Sequence, residues 1–177
     1  MKRNSRTDSN HNHHEDHQAI MVDDNGQPKI PSWQNPDPEM FDYIPMAKAT
    51  LSAGGGAFVL SEEIEGYYAF RNSWLNSVAT SKRNLVLMRV AGDSMEPTIK
   101  SGDTVLIDTG RRKIKEGEIY ALRVEDTVII KRLSYRLDGR VMIISDNRRD
   151  FQSYEAYHQD VNIIGQVIFF SRVLVPE

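Results

Sequence analysis

The sequence predicts a mainly β domain, barrel-like or sandwich-like, carrying a short helix and preceded by a polar arm. Three observations lead there. Short apolar runs rich in Val, Ile and Leu recur from residue 85 to the C-terminus. Turn signals separate them, as in folds built from many short strands. The first 40 residues are poor in apolar side chains and rich in Asn, Asp, His and Pro, a composition that buries too little surface to order a chain.

Taken in order, residues 1–40 read as a disordered polar arm. Pro28, Pro31, Pro36 and Pro38 interrupt any helix in its second half. A helix-turn-helix needs several amphipathic helices around a shared core, and this stretch does not supply them. His11, His13, His14 and His17 cluster there, with His13 and His17 at helical spacing. In so polar a tract a solvated tail is the expected state, and no metal site is assigned. Residues 41–62 read as a linker, with Tyr43-Ile44-Pro45-Met46 as a short entry to the folded domain at 63–177. A helix is expected from Tyr67 to about Val78, with Phe70, Trp74 and Leu75 towards the core. Strands are expected over Leu85–Ala91, Thr104–Asp108, Glu118–Val124, Thr127–Leu133, Val141–Ser145 and Ile163–Ser171. Ser101-Gly102-Asp103 and Asp138-Gly139 are turn signals. Glu125-Asp126 separates two apolar runs by two residues, which predicts a hairpin.

Composition narrows the function. The chain has 177 residues, 40% of them hydrophobic and 27% charged, enough for one domain with its own core plus an appendage. A net charge of −3 argues against a strongly basic nucleic-acid surface. With no cysteine there is no disulfide, thiol nucleophile or thiolate metal site. No apolar run reaches the roughly 18 residues of a membrane span. The N-terminus has basic residues but no apolar signal segment. A cytoplasmic protein without cofactor or metal is the expectation.

Two short motifs carry the chemistry. Gly92-Asp93-Ser94-Met95-Glu96-Pro97-Thr98 places a serine on a tight bend after a strand. Val128-Ile129-Ile130-Lys131-Arg132-Leu133 places a lysine inside an apolar strand, 37 residues after that serine. Alone, Ser94 reads as a turn residue and Lys131 as a guard of a strand edge. Together they suggest a Ser-Lys dyad, because a serine hydroxyl needs a neighbouring base. Lysine serves as base only when neutral, so its pKa must fall well below the reference of about 10.4. Desolvation does this. Ile129 and Leu133 lie two positions either side of Lys131, so in a strand all three share one face.

These residues, with Ser101-Gly102-Asp103-Thr104-Val105-Leu106 after them, resemble the LexA and phage-repressor family of self-cleaving serine peptidases. That family shares fold and dyad with UmuD and the signal peptidases. The resemblance covers about residues 42–175. It implies a LexA-like β fold, Ser94 as nucleophile, Lys131 as base, and backbone N–H groups of Asp93 and Ser94 around the oxyanion. It also implies an Ala-Gly cleavage site upstream of the serine. Leu51-Ser52-Ala53-Gly54-Gly55-Gly56 occupies that place, and Ala53-Gly54 is the candidate bond. Each glycine of the run adds roughly 0.5–1 kcal/mol to the cost of ordering it, so a flexible hinge is the competing reading. The resemblance further implies a homodimer, a RecA filament as activator, and DNA contact only through a helix-turn-helix outside this chain. Val167-Ile168-Phe169-Phe170 is a candidate dimer strand, although a core strand explains it equally. Asp93, Asp103, Asp108 and Asp146 read mostly as turn residues rather than metal ligands, with Ser145-Asp146-Asn147 as a support to the cleft. The basic runs at 111–115 and 148–149 read as solvated loops. Two other functions stay open: a proteolytically silent dimerisation module, and a UmuD-like accessory protein whose arm is trimmed. A membrane signal peptidase is disfavoured by the missing anchor.

Overall fold

The computed structural model describes residues 37–48 and 64–175. Among these residues nine strands form one mixed sheet: β1 (Phe41–Ala47), β2 (Ile64–Arg71), β3 (Leu85–Arg89), β4 (Thr104–Asp108), β5 (Ile119–Val124), β6 (Thr127–Tyr135), β7 (Arg140–Ile144), β8 (Tyr154–Tyr157) and β9 (Asn162–Ser171). Their order across the sheet is β2-β1-β3-β4-β9-β5-β6-β7-β8. Every pairing is antiparallel except β1 with β3. A single α-helix among the described residues, α1 (Asn72–Val78), follows β2 directly. The described residues include no helix long and apolar enough to cross a membrane.

The mainly β expectation holds, and the six expected strands appear with ends shifted by a residue or two. Three elements differ. The helix expected from Tyr67 is strand as far as Arg71, and only Asn72–Val78 is helical. Tyr67, Tyr68 and Phe70 favour a pleated surface, and β1 supplies a partner from Phe41↔Arg71 to Ala47↔Ile64. The core contacts survive the correction, since Leu75 is fully buried and Phe70 and Trp74 pack on the same cluster. The short entry at Tyr43–Met46 is itself part of a seven-residue strand. β8 was not expected; its four residues pair with β7 from Arg140↔Tyr157 to Ile143↔Tyr154. The polar arm, its histidines and the Ala53-Gly54 segment lie outside the described residues.

β4 shows why the centre of the sheet reads as an unbroken apolar run. It lies between β3 and β9, and Val105, Leu106 and Ile107 are all inaccessible to solvent. Side chains on its two faces feed different clusters: Val105 and Ile107 join Met88, Met95, Ile99 and Ile164, while Leu106 joins Ile44, Leu75 and Leu87. A third cluster, with Tyr120, Leu133 and Val141, lies under β5, β6 and β7.

The sheet coils, and this positions the site. β3 and β6 are four steps apart in the strand order, roughly 19 Å in a flat sheet. Yet residues 88–91 at the end of β3 and 127–130 at the start of β6 line one cleft.

Candidate active site

The loop from Val90 to Asp103 carries the serine. Two backbone bonds close its base, Val90 N–H to Asp103 O at 2.8 Å and Gly102 N–H to Val90 O at 2.9 Å. Gly92, at φ +89°, takes the left-handed turn that ends β3; a side chain there would strain the backbone. Glu96 N–H donates to Asp93 O at 3.0 Å and Ile99 N–H to Met95 O at 2.9 Å. Met95 and Ile99 are 2% and 1% exposed, so the loop is pinned to the core on either side of the cis Glu96–Pro97 peptide. Ser94, one residue before the first of these anchors, lines the cleft.

Lys131 reaches the same point from β6. Its Nζ lies 2.5 Å from Ser94 Oγ. The residue is 9% exposed, and its Nζ is 5.9 Å from the centre of the Phe151 ring. Burial pushes the ammonium below the usual lysine range, and the Asp146 carboxylate acts in the opposite sense. Leu133 is buried and Ile129 half-buried on the same cluster, as alternation from Lys131 requires. The two residues singled out in the sequence therefore meet, with the lysine in surroundings that favour its neutral form.

Among the described residues, the N–H groups of Asp93 and Ser94 donate to no backbone carbonyl. Their carbonyls are engaged: Ser94 O accepts from Asn147 N–H at 3.1 Å, and Asp93 O accepts from Asn147 Nδ2 at 3.4 Å. The cleft beside Ser94 has a volume of about 250 Å³ and walls that include Met88, Val90, Met95, Val105, Val128 and Ile130. A space of this size suits a few small or apolar side chains.

The Ser145-Asp146-Asn147 turn lies against the dyad. Asp146 accepts from Arg132 Nε at 2.9 Å and Nη2 at 2.7 Å, and from Thr98 Oγ1 at 2.6 Å. Arg132 Nη1 also donates to Gly117 O at 2.5 Å. These roles of Thr98, Arg132 and Phe151 were not read from the sequence, because the partners are far apart along the chain. The other aspartates do structural work. Asp103 takes a two-pronged bond from Arg172, at 2.8 and 2.6 Å, which holds its carboxyl below the usual range. Asp108, fully buried, accepts from Thr80 N–H and Thr80 Oγ1 at 2.7 Å each and from Gly110 N–H at 3.0 Å. In the basic run, Arg111 donates to Val78 O at 2.6 Å and Arg112 to Thr109 O at 3.1 Å.

Residues 45–168 match the family described as Peptidase S24-like. Similar proteins include the repressor protein CI of Enterobacteria phage phi80, 35% identical over 139 residues, which cover 77% of this chain and 58% of that one. The HTH-type transcriptional regulator PrtR of Pseudomonas aeruginosa is 30% identical over 137 residues, 73% of this chain and 53% of its own. The 26 kDa repressor protein of Escherichia phage HK022 is 28% identical over 135 residues, 72% of this chain and 57% of its own. The chain thus spans less than two thirds of the length of these relatives.

Proposed function

Because this chain belongs to the S24-like peptidase family, we propose that it is the regulatory part of a LexA/phage-repressor-like transcription regulator and cleaves itself at Ala53-Gly54 with Ser94 and Lys131. The observation that carries the reading is a buried lysine 2.5 Å from a serine hydroxyl, its ammonium form disfavoured by desolvation. In organisation, residues 1–40 are the arm, 41–62 hold the cleavage segment, and 63–177 hold the dyad and the dimer surface.

The chemistry follows from that contact. Neutral Lys131 takes the proton of Ser94 as Oγ attacks the Ala53 carbonyl carbon. The N–H groups of Asp93 and Ser94 hold the oxyanion. As the intermediate collapses, the Ala53–Gly54 bond breaks and Lys131 gives its proton to the Gly54 amine. Water, deprotonated by Lys131, then cleaves the Ala53 ester and restores Ser94. The strands flanking the segment support reaction within one chain. β1 ends beside the cleft, with Ala47 paired to Met88, and Met88 lines the cleft. Ala53 lies six residues beyond Ala47, a span of up to about 20 Å when extended. Tethering makes the attack unimolecular, a large part of the acceleration.

In the regulator, a homodimer would pair two DNA-binding heads and raise operator affinity through avidity. Cleavage would separate heads from dimeriser. The heads would lie in the length that the relatives have beyond this chain, and one of those relatives, PrtR, is named as an HTH-type transcriptional regulator. A RecA filament as activator and a cytoplasmic location complete the reading.

The test is intact-mass measurement of the purified chain from neutral to alkaline pH, beside Ser94→Ala and Lys131→Ala. Fragments ending at Ala53 and beginning at Gly54, increasing with pH and absent from both variants, are expected. A chain that stays whole, with and without a RecA filament, would leave the silent dimerisation module.

A further inference from the structure

We propose that Asp146 is a positioning residue for the dyad, holding the loop that carries Ser94 to the strand that carries Lys131. This rests on the cleavage reading above.

The geometry is a bracket. One carboxylate joins two elements that share no strand pairing: the loop that carries Ser94 and β6, which carries Lys131. Towards the loop, Asp146 accepts from Thr98 Oγ1 at 2.6 Å, four residues after the nucleophile. Towards the strand, it accepts both prongs of Arg132, at 2.9 and 2.7 Å, one residue after the base. The next residue completes the grip, with Asn147 N–H on Ser94 O at 3.1 Å. Two-pronged arginine–carboxylate pairs fix direction as well as distance. The Ser94–Lys131 contact thus depends on the turn after β7, an element that touches neither reacting atom.

The charge has a second effect. The charged side chains on the elements around Lys131 are Arg132 on β6, Arg123 on β5 with Glu118 before it, Arg140 on β7, Asp93, Glu96, Lys100 and Asp103 in the serine loop, and Asp146, Arg148, Arg149 and Asp150 after β7. Of these, Asp146 is the one whose charge favours the lysine ammonium, against the desolvation that disfavours it. Removing that charge therefore pushes the lysine further towards its neutral form. A residue with a merely structural role would not move this titration.

The experiment compares the full chain with Asp146→Asn, Thr98→Val and Asp103→Asn. Cleavage rates are followed against pH, and the Lys131 titration is followed by NMR of the lysine side chain in a Ser94→Ala background. Asp146→Asn is expected to lower the plateau rate by roughly 10- to 100-fold, the cost of a small misplacement of reacting groups. It should also move the rate midpoint and the Lys131 titration to lower pH. Thr98→Val, which removes one bond and no charge, should lower the rate and leave the midpoint in place. Asp103→Asn breaks a buried ion pair away from the lysine, and should weaken the fold without moving the midpoint. An unmoved Lys131 titration in Asp146→Asn overturns the proposal, and so does a midpoint shift of equal size in Asp103→Asn. If the wild type yields no fragments at any pH, with or without a RecA filament, the cleavage reading falls. The NMR titration then decides by itself whether Asp146 sets the lysine. If Asp146→Asn fails to fold, Thr98→Val decides: an unchanged cleavage rate there overturns the positioning role.

Discussion

Burying Lys131 carries a cost to the fold. Its pKa is lower in the folded chain than in the unfolded one because burial penalises the ammonium. Between the folded value and the unfolded value of about 10.4, the unfolded chain binds more protons, so stability rises with pH across that window. Below the window the penalty is present in full. Lys131→Met keeps the apolar stem and removes the titrating group. It should be more stable than wild type at pH 7, with the gap closing as pH nears 10. Urea melts at both pH values measure this, and an equal gap at the two would refute the account. The sequence made Ser94 and Lys131 legible as candidates, since each lies in a motif of several residues. It did not make the Arg132–Asp146–Thr98 contacts legible, because 14 and 48 residues separate the partners and no local pattern links them.

At the scale of elements, β9 stands between β4 and β5 and binds the two halves of the sheet. Its register shifts against both, between Leu106 and Ile107 on β4 and between Ala121 and Leu122 on β5. Gly165 permits the close approach. A Cβ there would lie 2.4 Å from Asp108 O and 2.8 Å from Thr109 Cα, and these are backbone atoms that cannot swing aside. Gly165→Ala should destabilise by about 1–3 kcal/mol, as overpacking does. A thermal melt checks this; an unchanged midpoint would mean that β4 gives way easily. The misread helix belongs to this scale too. Phe70 and Trp74 have helical spacing, and they do stack, at 5.4 Å between ring centres. But one residue lies near the end of a strand and the other in α1, and the partner strand β1 decided the difference.

The whole molecule leaves an apolar surface at the end of β9. Phe169 and Phe170 are 37% and 40% exposed, and Val173, Leu174 and Val175 more so. Phe169 meets Phe70 and Trp74 edge-on, which gives the patch a rigid floor. Such a patch favours the proposed dimer. Phe170→Asp should shift the sedimentation of the chain towards monomer at micromolar concentration while its far-UV spectrum stays unchanged; an unmoved dimer would place the interface elsewhere. What the sequence by itself determined is local. Alternation and turn signals defined most strands, and Gly92-Asp93-Ser94 and the lysine in an apolar strand each marked one half of the Ser94–Lys131 pair. Only the tertiary structure decided that the halves meet. Their contact requires the sheet to coil until β3 and β6, with three strands between them, face one cleft. That coiling comes from strand twist and goes with the register shifts along β9, which depend on pairings between residues far apart in the chain.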